Sequence, residues 1–176
     1  RRVLFRSGGE EWPKHLFNPR ETPSIKDWRY FMKGTLQFRR GLWKQFAGQG
    51  LNLGDWAWEW RMGWLQKCAE ESQDWCLMIL KDGLNDAALV VRAQAAVYLG
   101  RKFAESENRE VIDLLAKAFR HSGNVRNGKP LYIQKRILYA LKSIGGNHSE
   151  NVAKQLVASM PEVSKYWLKL AKVPSK

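Results

Sequence analysis

The chain of 176 residues contains only two cysteines and two threonines, and it has no long apolar run. Two cysteines cannot build a disulfide framework, and a membrane-spanning helix would need about 20 consecutive apolar residues. Valine, isoleucine and threonine together number 18, whereas alanine and leucine number 35. That composition favours helix over sheet. None of the six prolines lies between positions 24 and 129, which is typical of long helices, so the sequence predicts an all-α fold.

The first seven residues, Arg-Arg-Val-Leu-Phe-Arg-Ser, resemble a translated sequencing adapter. We therefore expect residues 1–7 to be non-native and exclude them from the fold. A natural fragment boundary is the alternative. Under either interpretation we expect the native N-terminus to be missing, so the sequence does not predict the compartment in which the protein works.

Positive charge is concentrated at the two ends of the chain. The formal net charge is +13, and residues 117–176 hold 12 basic and 2 acidic side chains against 7 and 11 in residues 45–116. A surface of positive sign attracts phosphate backbones, anionic lipid surfaces or acidic proteins. The alternative is a solvated, lysine-rich surface that has no partner.

An N-terminal helical region is predicted over residues 24–71, after an extended lead-in over residues 8–23 that contains three prolines and two glycines. Ser24 followed by Asp27 resembles a capping box and predicts the start of the first helix. Because glycine weakens a helix, we expect a break or bend near Gly41.

A tryptophan cluster follows this first helix. Asp55 is the predicted N-cap of a helix that continues to Glu71, with Trp56, Trp60 and Trp64 one turn apart. Alternation of aromatic and polar residues would instead suit a strand, but the good helix formers that follow favour a helix. The helical spacing predicts that these tryptophans form a core, and a base-stacking platform or a peptide groove is the alternative.

Residues 72–176 contain repeated helix pairs. The helices of the first two pairs are predicted at residues 75–84, 88–103, 111–119 and 132–144. The first helices are offset by 35 residues and the second helices by 42, so we expect an inserted loop within His121 to Pro130. A third pair is predicted from Ser149, with its second helix starting at Pro161. The stripes predicted to be buried are Val91, Ala95 and Leu99 in one second helix, and Ile133, Ile137 and Leu141 in the other.

Asp86 in the turn of the first pair, Arg92 six residues later and the segment 95–100 form a pattern that resembles the HEAT-repeat family over residues 72–160. The resemblance implies a short α-α superhelix, here with an aromatic-rich N-terminal helical cap. It also implies that Asp86 and Arg92 take part in a ladder between repeats. In the second repeat Gln134 stands where the family has arginine.

The sequence predicts no catalytic residue, cofactor or metal site. Cys68 and Cys76 are predicted to be buried free thiols, with a disulfide as the alternative. His15, His121 and His148 are scattered and lack the spacing of metal ligands. Bilin lyases contain related short repeats, but no cofactor motif of theirs is present. We therefore expect a protein that is not an enzyme.

Six residues form the candidate binding surface: Arg126, Lys129, Lys135, Arg136, Tyr139 and Lys142. In the family that the chain resembles, the second helix of each pair lines the concave face, which implies that this set faces a groove. The predicted function is a scaffold that binds an acidic protein or peptide there. The alternative is a basic solenoid that binds a nucleic-acid backbone, as DNA glycosylases with HEAT-like repeats do.

Overall fold

A computed structural model describes residues 18–160 together with positions 167, 169 and 171. The described residues form eight α-helices, joined by turns and short 3-10 helices, and one pair of two-residue strands, so the all-α prediction is confirmed. The predicted non-native segment, most of the predicted lead-in and the helix start predicted at Pro161 lie outside the described residues. The Cα positions divide the chain after Lys67 into two compact units.

The first unit contains α1 (Ile25–Lys33), α2 (Leu36–Ala47) and most of α3 (Trp58–Ala69). Helix α1 begins as the sequence predicts, because the Ser24 hydroxyl accepts a 3.1 Å hydrogen bond from the main-chain N–H of Asp27. This bond satisfies one of the donors that a helix leaves unpaired at its N-terminus.

The break predicted near Gly41 lies instead at Gly34, and Gly41 is inside α2. Thr35 starts the new helix, since its hydroxyl accepts from the N–H of Phe38 at 3.1 Å. The Arg39 guanidinium is almost fully buried and donates to the carbonyl oxygen of Gly34, which lies at the end of α1. The two capping interactions therefore select the earlier glycine as the break.

The tryptophans around α3 form the core of the first unit, as predicted. Trp56, Trp60 and Trp64 are at most 1% exposed. The ring centroid of Trp64 lies 5.9 Å from that of Trp56 and 5.4 Å from that of Phe31, both in edge-to-face geometry. Rings packed in this way contribute about 1 kcal/mol beyond the area they bury.

The predicted start of α3 was wrong by several residues. Asp55 is not its N-cap, because its carboxylate accepts from the N–H of Asn52 at 2.8 Å and closes the 3-10 turn Leu53–Asp55. Helix α3 begins only at Trp58 and ends at Ala69, two residues before the predicted end.

The second unit contains α4 (Asp74–Asp82), α5 (Leu89–Lys102), α6 (Arg109–Phe119), α7 (Tyr132–Ile144) and α8 (Gly146–Ala158). Helix α5 packs against α4 and α7, and α6 packs against α7 and α8. The residues of both predicted stripes are at most 1% exposed: Val91, Ala95, Leu99, Ile133, Ile137 and Leu141. Each helix pair therefore buries its apolar stripe against the next pair.

Helices α5 and α7 are in close contact at a glycine. A Cβ atom placed on Gly100 would lie 2.7 Å from the Cα of Ala140. Only the absence of a side chain at Gly100 allows the two helices to cross at this distance.

The turn between α5 and α6 caps the end of α7. Glu105 and Glu107 have left-handed φ angles of 59° and 53°. Their N–H groups donate to the carbonyl oxygens of Ser143 and Ile144 at 2.9 and 3.2 Å. These carbonyls stand at the C-terminus of α7, where the helix has no N–H donors of its own for them, so the turn also links the two helix pairs.

Candidate binding surface

The loop predicted within His121 to Pro130 contains a two-residue β-hairpin. Strand β1 (Val125–Arg126) pairs with β2 (Lys129–Pro130) in antiparallel orientation. The connecting residues Asn127 and Gly128 have φ angles of 52° and 73°. Positive φ at both central positions defines the type I′ turn, which Asn-Gly favours strongly.

Asn124 fixes the root of this hairpin. Its side chain is fully buried, and its Nδ2 donates to the carbonyl oxygen of Ala118 at 2.7 Å. Its Oδ1 accepts from Nε of Arg92 at 3.0 Å, and its main-chain carbonyl accepts from the N–H of Leu131 at 2.9 Å. The hairpin is therefore tied to α5, to α6 and to the residue that precedes α7.

Arg92 connects the first helix pair to the second. Its guanidinium is 97% buried and donates to the main-chain carbonyl oxygen of Asp86 at 2.7 Å and to that of Gly123 at 3.0 Å. The Asp86 carboxylate accepts from the N–H of Ala88 at 2.7 Å. The bonds of Arg92 to the next repeat thus go to Gly123 and Asn124. At the equivalent place in the second repeat, Gln134 is buried and donates to the carbonyl oxygen of Phe119 at 3.0 Å.

Arg126 and Lys129 stand directly opposite each other on the hairpin. Directly opposite residues of an antiparallel pair point to the same face, with Cβ atoms about 5 Å apart. Both side chains are exposed, and like charges in this position destabilise the pairing. We call these two residues the hairpin pair.

The other four predicted site residues lie on one stripe of α7. Arg136 and Lys142 are exposed, Tyr139 is 43% exposed and Lys135 is half-buried. The Lys135 ammonium lies 5.8 Å from the centroid of the Tyr139 ring, within cation–π range. Arg136, expected at the edge of the surface, is more exposed than Lys135.

Tyr132 belongs to the same stripe, although it is not among the predicted site residues. It is 49% exposed and lies four residues before Arg136 and seven before Tyr139. This spacing is the signal that would have identified it. The α7 surface therefore consists of Tyr132, Lys135, Arg136, Tyr139 and Lys142, and the hairpin pair precedes it in the chain.

Cations greatly outnumber acidic groups in this part of the molecule. Residues 117–160 contain eight lysines and arginines and a single acidic residue, Glu150. Glu150 pairs with Lys154 of its own helix at 2.7 Å. Among residues 18–160, no carboxylate forms an ion pair with Arg126, Lys129, Arg136 or Lys142. An anionic partner would thus break no direct ion pair of these four side chains within the described chain.

The remaining sequence candidates are placed as follows. Cys68 and Cys76 are buried, and no disulfide joins them. Nε2 of His148 lies 3.0 Å from a carboxylate oxygen of Asp113, and Nδ1 of His121 accepts from the N–H of Gly123. Within the described ranges, no group of three or more histidine, cysteine, aspartate or glutamate side chains could hold a metal ion. No helix in that part of the chain has the length and apolar character required to cross a membrane.

No protein-family model matches the chain, and its comparison with curated proteins and with solved structures gave no match. The functional interpretation therefore depends on the α7 surface and the hairpin pair.

Proposed function

We propose that this protein is a non-enzymatic scaffold of HEAT-like helix pairs that binds an acidic protein or peptide through the α7 surface and the hairpin pair. One observation carries the proposal. The exposed stripe of α7 alternates tyrosines with cations and contains no acidic residue, and its exposed cations lack ion-pair partners among residues 18–160.

An acidic peptide complements this stripe in both charge and contact area. Carboxylates of the partner would neutralise Arg136 and Lys142, whose Cα atoms are separated by six residues, a rise of about 9 Å along the helix. Tyr132 and Tyr139 offer rigid, half-exposed rings, which supply contact area at a small cost in side-chain entropy. Charges at the rim of such a contact mainly speed association, whereas the aromatic rings hold the complex together.

Binding to the backbone of a nucleic acid is the second candidate function. The same excess of cations favours it, and exposed tyrosines are suitable for stacking on bases. The two candidates differ in their salt dependence. A complex with duplex DNA loses affinity with a slope of about −0.9 in log–log form for each phosphate that is neutralised.

The test measures binding of a fluorescein-labelled, glutamate-rich peptide by fluorescence anisotropy, with a glutamine-for-glutamate version of the peptide as reference. We expect the double variant Arg136→Gln/Lys142→Gln to bind about 5-fold more weakly, since two exposed ion pairs of about 0.5 kcal/mol each contribute about 1 kcal/mol together. Tyr139→Ala should weaken binding about 10-fold, as removal of an interface aromatic often does.

Lys117→Gln is the matched control, because it removes one charge from an exposed position on α6, outside the α7 surface. We expect it to change affinity less than 2-fold. Equal binding of the glutamate and glutamine peptides would refute the proposal. Tight binding of duplex DNA with a steep salt slope, in the absence of peptide binding, would establish the second candidate instead.

A further inference from the structure

The hairpin pair has features that a general acidic partner does not explain. Arg126 and Lys129 are cross-strand neighbours that flank the type I′ turn, and no ion pair to either of them exists within residues 18–160. The pairing places two cationic side chains on the same face of the hairpin, although like charges in this position weaken it.

We propose that the hairpin pair binds a dianionic phosphomonoester, carried by a phosphoserine or phosphothreonine of the acidic partner. This inference rests on the proposed function, since it identifies one chemical group of the partner that the α7 surface binds.

Charge balance selects the phosphomonoester over the other common anions. A carboxylate carries one negative charge and leaves one of the two cations without compensation. A phosphodiester of a nucleic-acid backbone also carries one. A phosphomonoester carries about −1.5 to −2 near pH 7 and has three acceptor oxygens, enough for both side chains at once. Arginine adds a fork of N–H groups that matches two phosphate oxygens.

The backbone that carries the two cations is preorganised for such a group. The Asn-Gly turn fixes the tip of the hairpin, and the side-chain bonds of Asn124 to Arg92 and Ala118 fix its root. The backbone that carries Arg126 and Lys129 is therefore ordered before the ligand arrives, and only the two side chains have to be immobilised on binding.

The hairpin also lies where a peptide on α7 would reach it. Lys129 precedes Tyr132, the first residue of α7, by three positions. A phosphoserine at one end of the bound peptide would contact the hairpin pair, while acidic residues farther along would contact Arg136 and Lys142.

The test compares three versions of one acidic peptide, which differ only in having serine, glutamate or phosphoserine at a single position. That position is scanned from end to end in a peptide array before affinities are measured by anisotropy. We expect the best phosphoserine peptide to bind at least 10-fold more tightly than its serine version and at least 3-fold more tightly than its glutamate version. In the double variant Arg126→Gln/Lys129→Gln, the preference over serine should fall below 2-fold.

Two controls are needed. The first tests whether the double variant keeps its fold, and the second tests whether loss of a positive charge elsewhere on the protein has the same effect. The N–H of Leu131, which bonds to the carbonyl of Asn124, should keep its amide chemical shift in the double variant, because both substituted side chains are exposed. Lys117→Gln should leave the preference for phosphoserine unchanged.

The outcomes distinguish failure of the inference from failure of the proposed function. If the glutamate and phosphoserine peptides bind equally well, or if the preference survives in the double variant, the phosphomonoester site is refuted while the acidic-peptide function stands. If none of the acidic peptides binds more tightly than a neutral one, both proposals are wrong.

Discussion

The crossing of α5 and α7 allows the most direct test of how the second unit is packed. In Gly100→Ala the added Cβ would stand 2.7 Å from both Cα and Cβ of Ala140, whereas ordinary van der Waals contact lies at 3.4–4 Å. Because the Cα of Ala140 is part of the main chain, a change of rotamer cannot relieve the overlap. The two helices must separate, and their shared apolar stripe loses contact.

Two opposing contributions decide the size of the effect. Overpacking a well-packed contact costs about 1–3 kcal/mol. Replacing glycine by alanine inside a helix stabilises the folded protein by about 1 kcal/mol through helix propensity. The difference is about 0–2 kcal/mol, and because the overlap involves a main-chain atom we expect the upper half, so that Gly100→Ala lowers the free energy of unfolding by about 1–2 kcal/mol.

The assay is urea unfolding followed by circular dichroism, with hydrogen exchange at the amides of α5 and α7 to locate the change. Gly48→Ala is the control, since a Cβ there would meet only carbonyl oxygens of its own helix at 3.4 and 3.5 Å. It should leave stability unchanged or raise it slightly. Gly100→Ala combined with Ala140→Gly should recover part of the loss, because only the Cβ contact is removed. A Gly100→Ala protein as stable as the parent would refute the packing argument.

Two further substitutions test single features of the second unit. Asn124→Ala removes the side-chain bonds to Arg92 and Ala118, so we expect urea unfolding to show a loss of about 2–4 kcal/mol, and a loss below about 0.5 kcal/mol would contradict the role given to Asn124. Gly145→Ala should cost about 1–3 kcal/mol in thermal unfolding, because Gly145 has φ 76° and ψ −175°, a region open essentially to glycine alone. Gly54→Ala is its control, since a Cβ at either glycine has open space and only Gly145 has a positive φ; equal effects of the two would contradict the strain argument.

The sequence was sufficient for elements whose signals are local. Helix α7 was predicted at residues 132–144 and has those bounds, because an uninterrupted apolar stripe lies between Pro130 and Gly145. The burial of Trp60 and Trp64 followed from spacing in the same way, whereas Trp56 is buried although it precedes α3. These predictions depended only on period and on residues that end helices.

Two helix boundaries were missed although the bonds that decide them are local and join residues three to five positions apart. Gly34 and Gly41 are equally plausible helix breaks by propensity, and Thr35 and Arg39 decide between them through capping bonds. Asp55 has the chemistry of an N-cap, but its carboxylate bonds back to Asn52 and closes a different turn. In both cases the deciding bond depends on a geometry that composition and period do not encode.

In the candidate surface, residues of one helix could be predicted from the sequence, and a contact between distant residues could not. Tyr132 was identifiable from its spacing to Arg136 and Tyr139, since it belongs to the same helix. The role of Asn124 was not, because its partner Arg92 lies 32 residues earlier and meets it only in the packed unit.

The inserted hairpin combines two roles that can be separated by substitution. Its root supplies the buried side chain of Asn124 and the main-chain carbonyl of Gly123, and Arg92 of the first pair donates to both. Its exposed tip supplies Arg126 and Lys129. Changes at the tip should therefore alter binding at constant stability, since exposed side chains contribute little to folding. Changes at the root remove acceptors from a buried guanidinium, so they should lower stability and, by loosening the hairpin, weaken binding as well.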